Sequence, residues 1–159
     1  MQLDVWFMGR RIMRVHSLGH VVLKVRNLER SVPFYRDVLG LKQVGQHGEK
    51  MVFFSIVDNH HDLALLETDN LAVSFLEESP GLHHVAFKIG DSLQELQEAK
   101  DWLVNNGLEP DRARDHVATQ SVYFFDPDGN QIELFVEGNP KIWLENPSAV
   151  ANSNPLELK

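Results

Sequence analysis

Two stretches of this chain follow one pattern, Leu18-Gly19-His20-Val21-Val22-Leu23-Lys24-Val25 and Leu82-His83-His84-Val85-Ala86-Phe87-Lys88-Ile89. Each alternates with the two-residue period of a strand, and each sets a histidine at the same step. After each copy come a helix-like stretch, a Gly-Leu pair (Gly40-Leu41 and Gly107-Leu108) and three short strand-like runs. A repeated unit of this order predicts an α+β chain of two βαβββ modules in tandem. The second set of runs ends in Gln131-Ile132-Glu133-Leu134, which makes Glu133 a third candidate ligand beside His20 and His84.

Module one (18–78) reads as strands near 18–26, 41–47, 50–57 and 62–67 with a helix near 28–38. Module two (82–137) reads as strands near 82–90, 108–115, 120–126 and 130–136 with a helix near 92–105. Together they form one domain over 18–137. Side chains two apart share a face of a strand, so Val21, Leu23 and Val25, then Val85, Phe87 and Ile89, then Ile132, Leu134 and Val136, form the face that packs on the helices. His20, His84 and Glu133 fall on the opposite face.

The second helix has a cap at Asp91-Ser92, a stop at Asn105-Asn106-Gly107, and a stripe of Leu93, Leu96, Ala99, Lys100 and Leu103. Pro33 sits awkwardly in the first helix, which therefore either starts late with Ser31 as cap or has an irregular first turn. Asp126-Pro127-Asp128-Gly129 is a turn between two strands. Residues 1–17 fit neither module and are an added strand, an arm or a leader. Residues 138–159 are polar, with Ile142 and Trp143 as the large apolar anchors, and predict a partly disordered arm, its last dozen residues an arm or a disordered tail.

Composition narrows the function. The formal charge of −8 argues against nucleic acid as a partner, because such affinity comes from clustered Lys and Arg. With no cysteine, thiolate metal sites, disulfides and a Cys nucleophile are excluded, and any metal must use His and carboxylate. No apolar run approaches the length of a membrane span, and the first residues lack the layout of a secretory signal, so a cytoplasmic address is expected. Two imidazoles and one carboxylate with open positions suit non-haem Fe(II) in oxygen chemistry, with Mn(II) as a substitute.

The chain resembles the vicinal oxygen chelate superfamily, which includes glyoxalase I, bleomycin-resistance proteins and type I extradiol dioxygenases. The resemblance covers roughly 18–137 and rests on His20, His84, Glu133 and the signature from Tyr123 through Leu134. It implies a cupped mixed sheet with the metal inside, held by those three residues. Alignment of Leu63-Ala64-Leu65 with Ile132-Glu133-Leu134 puts Ala64 where glyoxalase I has a glutamate ligand, which disfavours that enzyme. Glu67, three residues on, faces away from Ala64 on a regular strand.

His60-His61-Asp62-Leu63-Ala64 resembles the His-His-x-Leu-Ala element of extradiol ring-cleaving dioxygenases. The resemblance implies His61 as an acid/base residue, with an ordinary pKa near ~6.5 that suits proton transfer. Tyr123, ten positions before Glu133, matches that family's substrate-contacting tyrosine. His116 resembles its other conserved histidine at a spacing two residues short, with Gln120 a competitor for the same space. The expected function is an Fe(II)-dependent dioxygenase of the extradiol type, taking an aromatic vicinal diol and dioxygen. Homo-oligomers, commonly dimers, are implied, with Trp143 a candidate contact. The alternatives on this scaffold are a glyoxalase- or isomerase-like metal enzyme and a metal-free sequestering protein of the bleomycin-resistance type. Met51, Phe53, Phe54 and Phe75 are either core or substrate-lining.

Overall fold

A computed structural model describes residues 15–69 and 80–159. Module one runs β1 (Val21–Val25), α1 (Leu28–Pro33), a π-helical turn (Phe34–Val38), β2 (Lys42–His47), β3 (Met51–Ser55) and β4 (Leu63–Glu67). Module two runs β5 (Val85–Gly90), α2 (Leu93–Asn105), β6 (Arg112–Asp115), β7 (Thr119–Phe125) and β8 (Gln131–Glu137). Each module makes its own mixed sheet, in the order β1-β4-β3-β2 and β5-β8-β7-β6, with the first strand parallel to the last. The expected α+β class and the two βαβββ units are both present, and no strand of one module pairs with the other among the described residues. Most of residues 1–17, and Phe75, lie outside the described residues.

Local chemistry explains where the helices begin. Ser92 and Glu95 form a reciprocal cap on α2, in which the Glu95 amide donates to Ser92 Oγ (3.3 Å) and the Ser92 amide to Glu95 Oε2 (2.9 Å). Leu96 and Leu103 are buried, whereas Leu93, expected on the same stripe, is half exposed. The first helix differs from both expectations. Asn27, not Ser31, caps it, accepting from the Arg30 amide at 3.0 Å, and Pro33 sits at its end. Because proline has no N–H and crowds the carbonyl four residues back, the helix widens there, and the Leu39 amide donates to the Phe34 carbonyl at 3.1 Å.

The modules meet through their helix sides. One shared core joins Leu23, Phe34, Phe54, Leu63 and Leu65 to Leu96, Leu103, Val122, Phe124 and Ile132. Its polar seam is the 126–130 turn. Asp126, 5% exposed, accepts from the Tyr35 hydroxyl (2.7 Å) and from the amides of Asp128 and Asn130 (2.8 and 2.7 Å). Asp128 accepts from the Arg26 amide (2.9 Å), Arg30 Nη2 (2.6 Å) and Ser31 Oγ (2.7 Å). Ser31 is thus consumed in this clamp.

The C-terminal segment is an ordered arm rather than a disordered tail. It forms α3 (Lys141–Glu145), a 3-10 turn (Pro147–Ala151) and β9 (Asn154–Pro155), which pairs antiparallel with β6 at the edge of the second sheet. Leu156 and Leu158 then pack against the core, and Lys100 Nζ donates to the carbonyl of Lys159 at 2.6 Å. A few apolar anchors spaced two apart suffice to hold a polar strand on an open sheet edge.

Candidate metal and substrate site

Strand register aligns the two modules row for row. In module two, Arg112, Tyr123, Glu133 and Ala86 lie side by side across β6, β7, β8 and β5. The matching row of module one is Gly45, Phe53, Ala64 and Val22. Ala64 therefore occupies the place of Glu133, as the sequence alignment has it, and the row lacks every polar group that module two carries.

Glu133 is 7% exposed, yet both its oxygens are engaged. Ser121 Oγ donates to Oε1 at 2.5 Å, and His84 Nε2 lies 2.9 Å from Oε2. His84 stands just before β5, and its Nδ1 is 2.7 Å from His83 Nδ1. Two ligands about 2.1 Å from one cation and at right angles sit about 3 Å apart. The Nε2 to Oε2 separation thus suits two neighbouring positions around a divalent cation, and a nitrogen and a carboxylate oxygen are the donors it requires.

Tyr123 flanks this pair. Its ring stands edge-on to His84 with centroids 5.6 Å apart, and the Arg112 guanidinium lies 4.6 Å over its face. Burial first, then the Glu133 charge, pushes its hydroxyl up to about 12. His116 Nε2 is 3.2 Å from the Tyr123 hydroxyl, and its Nδ1 is 2.5 Å from the carbonyl oxygen of Asn152. The short 116–118 turn, with Val117 at φ 69°, brings His116 to the tyrosine despite its shortened spacing. Gln120 bonds to Asp115 instead, at 3.2 Å.

His20 and His61 form a second group on module one. Their rings are 4.4 Å apart, and His61 also meets Phe53 (5.1 Å) and His60 (4.5 Å). Partial desolvation first, then the neighbouring charges of His20 and His60, lowers the His61 pKa, and its Nδ1 lies 2.7 Å from His60 Nδ1. The loop that carries it is tied down by Asp62, which accepts from the Ile56 amide at 2.8 Å.

The structure thus brings together His84, Glu133, Tyr123 and His116 on one sheet, and His20 with His61 on the other. Among the described residues, no three His, Cys, Asp or Glu side chains converge closely enough to hold a cation, so the expected triad is split. Glu67 faces the helix side, where Oε2 accepts from the Leu28 amide at 2.8 Å, as strand alternation predicts. Phe54 is core, while Met51 and Phe53 lie half-buried on the opposite face of β3. Sequence reasoning gave no role to Ser121, Arg112 or Asn152. Ser121 had a signal, being two residues from Tyr123 and on its face; the other two depend on pairings between distant segments.

Residues 17–134 match the model of the Glyoxalase/Bleomycin resistance protein/Dioxygenase superfamily. The chain is 32% identical over 121 residues to biphenyl-2,3-diol 1,2-dioxygenase 2 of Rhodococcus globerulus, covering 76% of itself and 63% of that enzyme. It is 32% identical to the metallothiol transferase FosB of Staphylococcus epidermidis, covering 77% of itself and 82% of the relative. A solved glyoxalase/dioxygenase from Nostoc punctiforme shares the fold with a TM-score of 0.64 at 22% identity, over 81% of this chain and 100% of the other. The chain thus spans less than two thirds of the dioxygenase's length. Among the described residues no helix is long and apolar enough to cross a membrane.

Proposed function

The chain belongs to the glyoxalase/bleomycin resistance protein/dioxygenase superfamily, which includes metal-dependent enzymes, and from that premise we propose an Fe(II)-dependent extradiol dioxygenase that cleaves the ring of a catechol-like diol. The observation that carries this reading is the hydrogen-bonded His116–Tyr123 pair beside the Glu133–His84 pair. It supplies a group for the substrate next to groups for the metal. His84, Glu133 and His20 are the proposed ligands, and ferrous iron bound there would hold the diol and pass electron density between it and dioxygen. Mn(II) is the natural substitute on the same donors.

The chain's own groups do the rest. Ser121 fixes one Glu133 oxygen and so aims the other. Tyr123 holds a substrate oxygen under the Arg112 guanidinium. His61 takes a proton from one substrate hydroxyl and returns it to the ring-opened product, a task its lowered pKa suits. Both oxygen atoms enter the product, so no external reductant is consumed.

Because His20 stands on the sheet opposite the His84–Glu133 pair, we assign the complete triad to a pair of chains, His20 of one copy meeting His84 and Glu133 of the other. A second reading, a metal-dependent group transfer on the same ligands, draws on the 82% coverage of the metallothiol transferase. The deciding experiment is oxygen uptake by the Fe(II)-loaded protein against substituted catechols, with absorbance of the ring-opened product followed and His84→Ala as control. Uptake lost in the variant supports ring cleavage. Tight metal binding without uptake favours transfer.

A further inference from the structure

The C-terminal segment crosses the edge of the second sheet beside His116, and its backbone touches that ring. The carbonyl oxygen of Asn152 is 2.5 Å from Nδ1, and a carbonyl can only accept, so Nδ1 carries a proton. In a neutral imidazole the other nitrogen is then bare. Nε2 lies 3.2 Å from the Tyr123 hydroxyl and, being bare, can accept its single proton in competition with the Glu133 carboxylate beside it.

We infer that the C-terminal segment acts as a positioning device: through Asn152 it fixes the tautomer of His116, which draws the Tyr123 proton away from the site and presents the tyrosine oxygen there as an acceptor. On the ring-cleavage reading, on which this consequence rests, the group received at that oxygen is a hydroxyl of the substrate. An imidazole free of the Asn152 carbonyl would not dictate this direction.

Several contacts hold the device in place. Asn152 closes the 3-10 turn, its amide donating to the Ala149 carbonyl at 3.2 Å and its side chain at 2.8 Å, while Ala149 itself is buried. Two residues on, Asn154 pairs with Asp115, the residue before His116. On the other side the His116 amide donates to the Thr119 carbonyl at 2.8 Å, and the Gly138 amide to that of Ala118 at 3.1 Å. The ring is thus clamped between the β6–β7 turn and the segment that follows β8.

Long-range proton–nitrogen NMR correlation of the histidine rings tests this without turnover. The full chain is measured at about pH 8, where an ordinary imidazole is neutral, with His116→Gln to assign the signals. The expected result is Nδ1 in the protonated range and Nε2 in the bare range; protonation at Nε2, alone or with Nδ1, would overturn the inference. In Tyr123→Phe, loss of the donated hydrogen bond should move the Nε2 signal further toward the bare value with Nδ1 unchanged, and a stationary Nε2 counts against it. A chain ended after Ala151, if it still melts cooperatively, should lose the fixed tautomer. Catechol turnover enters none of these readouts, so failure of the ring-cleavage reading would show separately.

Discussion

The two modules share a frame and differ in what they put on it. Both pair the first strand with the last in parallel and in the same register, Val22 beside Ala64 and Ala86 beside Glu133. Yet one row reads Gly45, Phe53, Ala64, Val22 and the other Arg112, Tyr123, Glu133, Ala86. The core-facing positions are apolar in both, because burial of that face holds each unit together. The positions on the other face are free of that demand and differ between the modules. Module two carries a carboxylate and its supports, while among the described residues module one carries His20 and His61 at the sheet's end.

The strongest way to break this comparison is to divide its halves between chains. His20→Ala and His84→Ala should each lose metal affinity and turnover by on the order of 10²-fold or more, since even supporting groups around a metal are worth 10–100-fold. If the triad forms between copies, refolding the two inactive variants together restores activity, because one of the two sites in a mixed dimer has all three ligands. No restoration would mean that each chain builds its site alone.

The clamp between modules tests whether they depend on each other. Asp126→Ala strips the partner from the buried Tyr35 hydroxyl and from two turn amides. A loss of about 3 kcal/mol is expected, read as a fall in Tm of roughly 6–12 °C by calorimetry. Two separate transitions would show that the modules fold independently once the seam is cut.

Ser121→Ala addresses the equipped row alone. Releasing one Glu133 oxygen should weaken metal binding about 10-fold and lower the melting temperature by a few degrees, less than Asp126→Ala. An unaltered metal titration would leave Ser121 a packing residue.

The smallest effect is at high pH. Burial first, then the Asp126 charge, raises the Tyr35 pKa well above its ordinary value. Its neutral form is favoured in the folded chain, so this contribution is complete below the unfolded value near ~10 and is lost as pH rises from there through the folded value. Melting temperatures measured from neutral to strongly alkaline pH should fall above ~10, and Tyr35→Phe should flatten that part of the curve.

Much of the frame was legible because it depends on local periodicity. The alternation of Leu23 and Val25 or of Ile132, Leu134 and Val136 marked the buried face, and the capping pair Ser92 and Glu95 marked the start of α2. The placement of Glu67 followed from strand alternation as well. The sequence marks Asp126 and Asp128 as turn residues, which they are, but their second role is to bond Tyr35, Arg26, Arg30 and Ser31 nearly a hundred positions away. The order of the chain's end is not legible locally for a related reason: it comes from a strand edge and a core supplied by other elements.

By itself, then, the sequence determined the two repeated modules, the side of each strand that is buried, and the face on which His20, His84 and Glu133 stand, because side-chain direction along a strand is a property of neighbouring residues. The tertiary structure alone decided that Glu133 meets His84 and Ser121 while His20 meets His61, that the 126–130 turn locks the modules, and that Asn152 reaches His116. Those contacts join segments far apart in the chain. Their geometry depends on how whole sheets and helices pack, which no local pattern encodes.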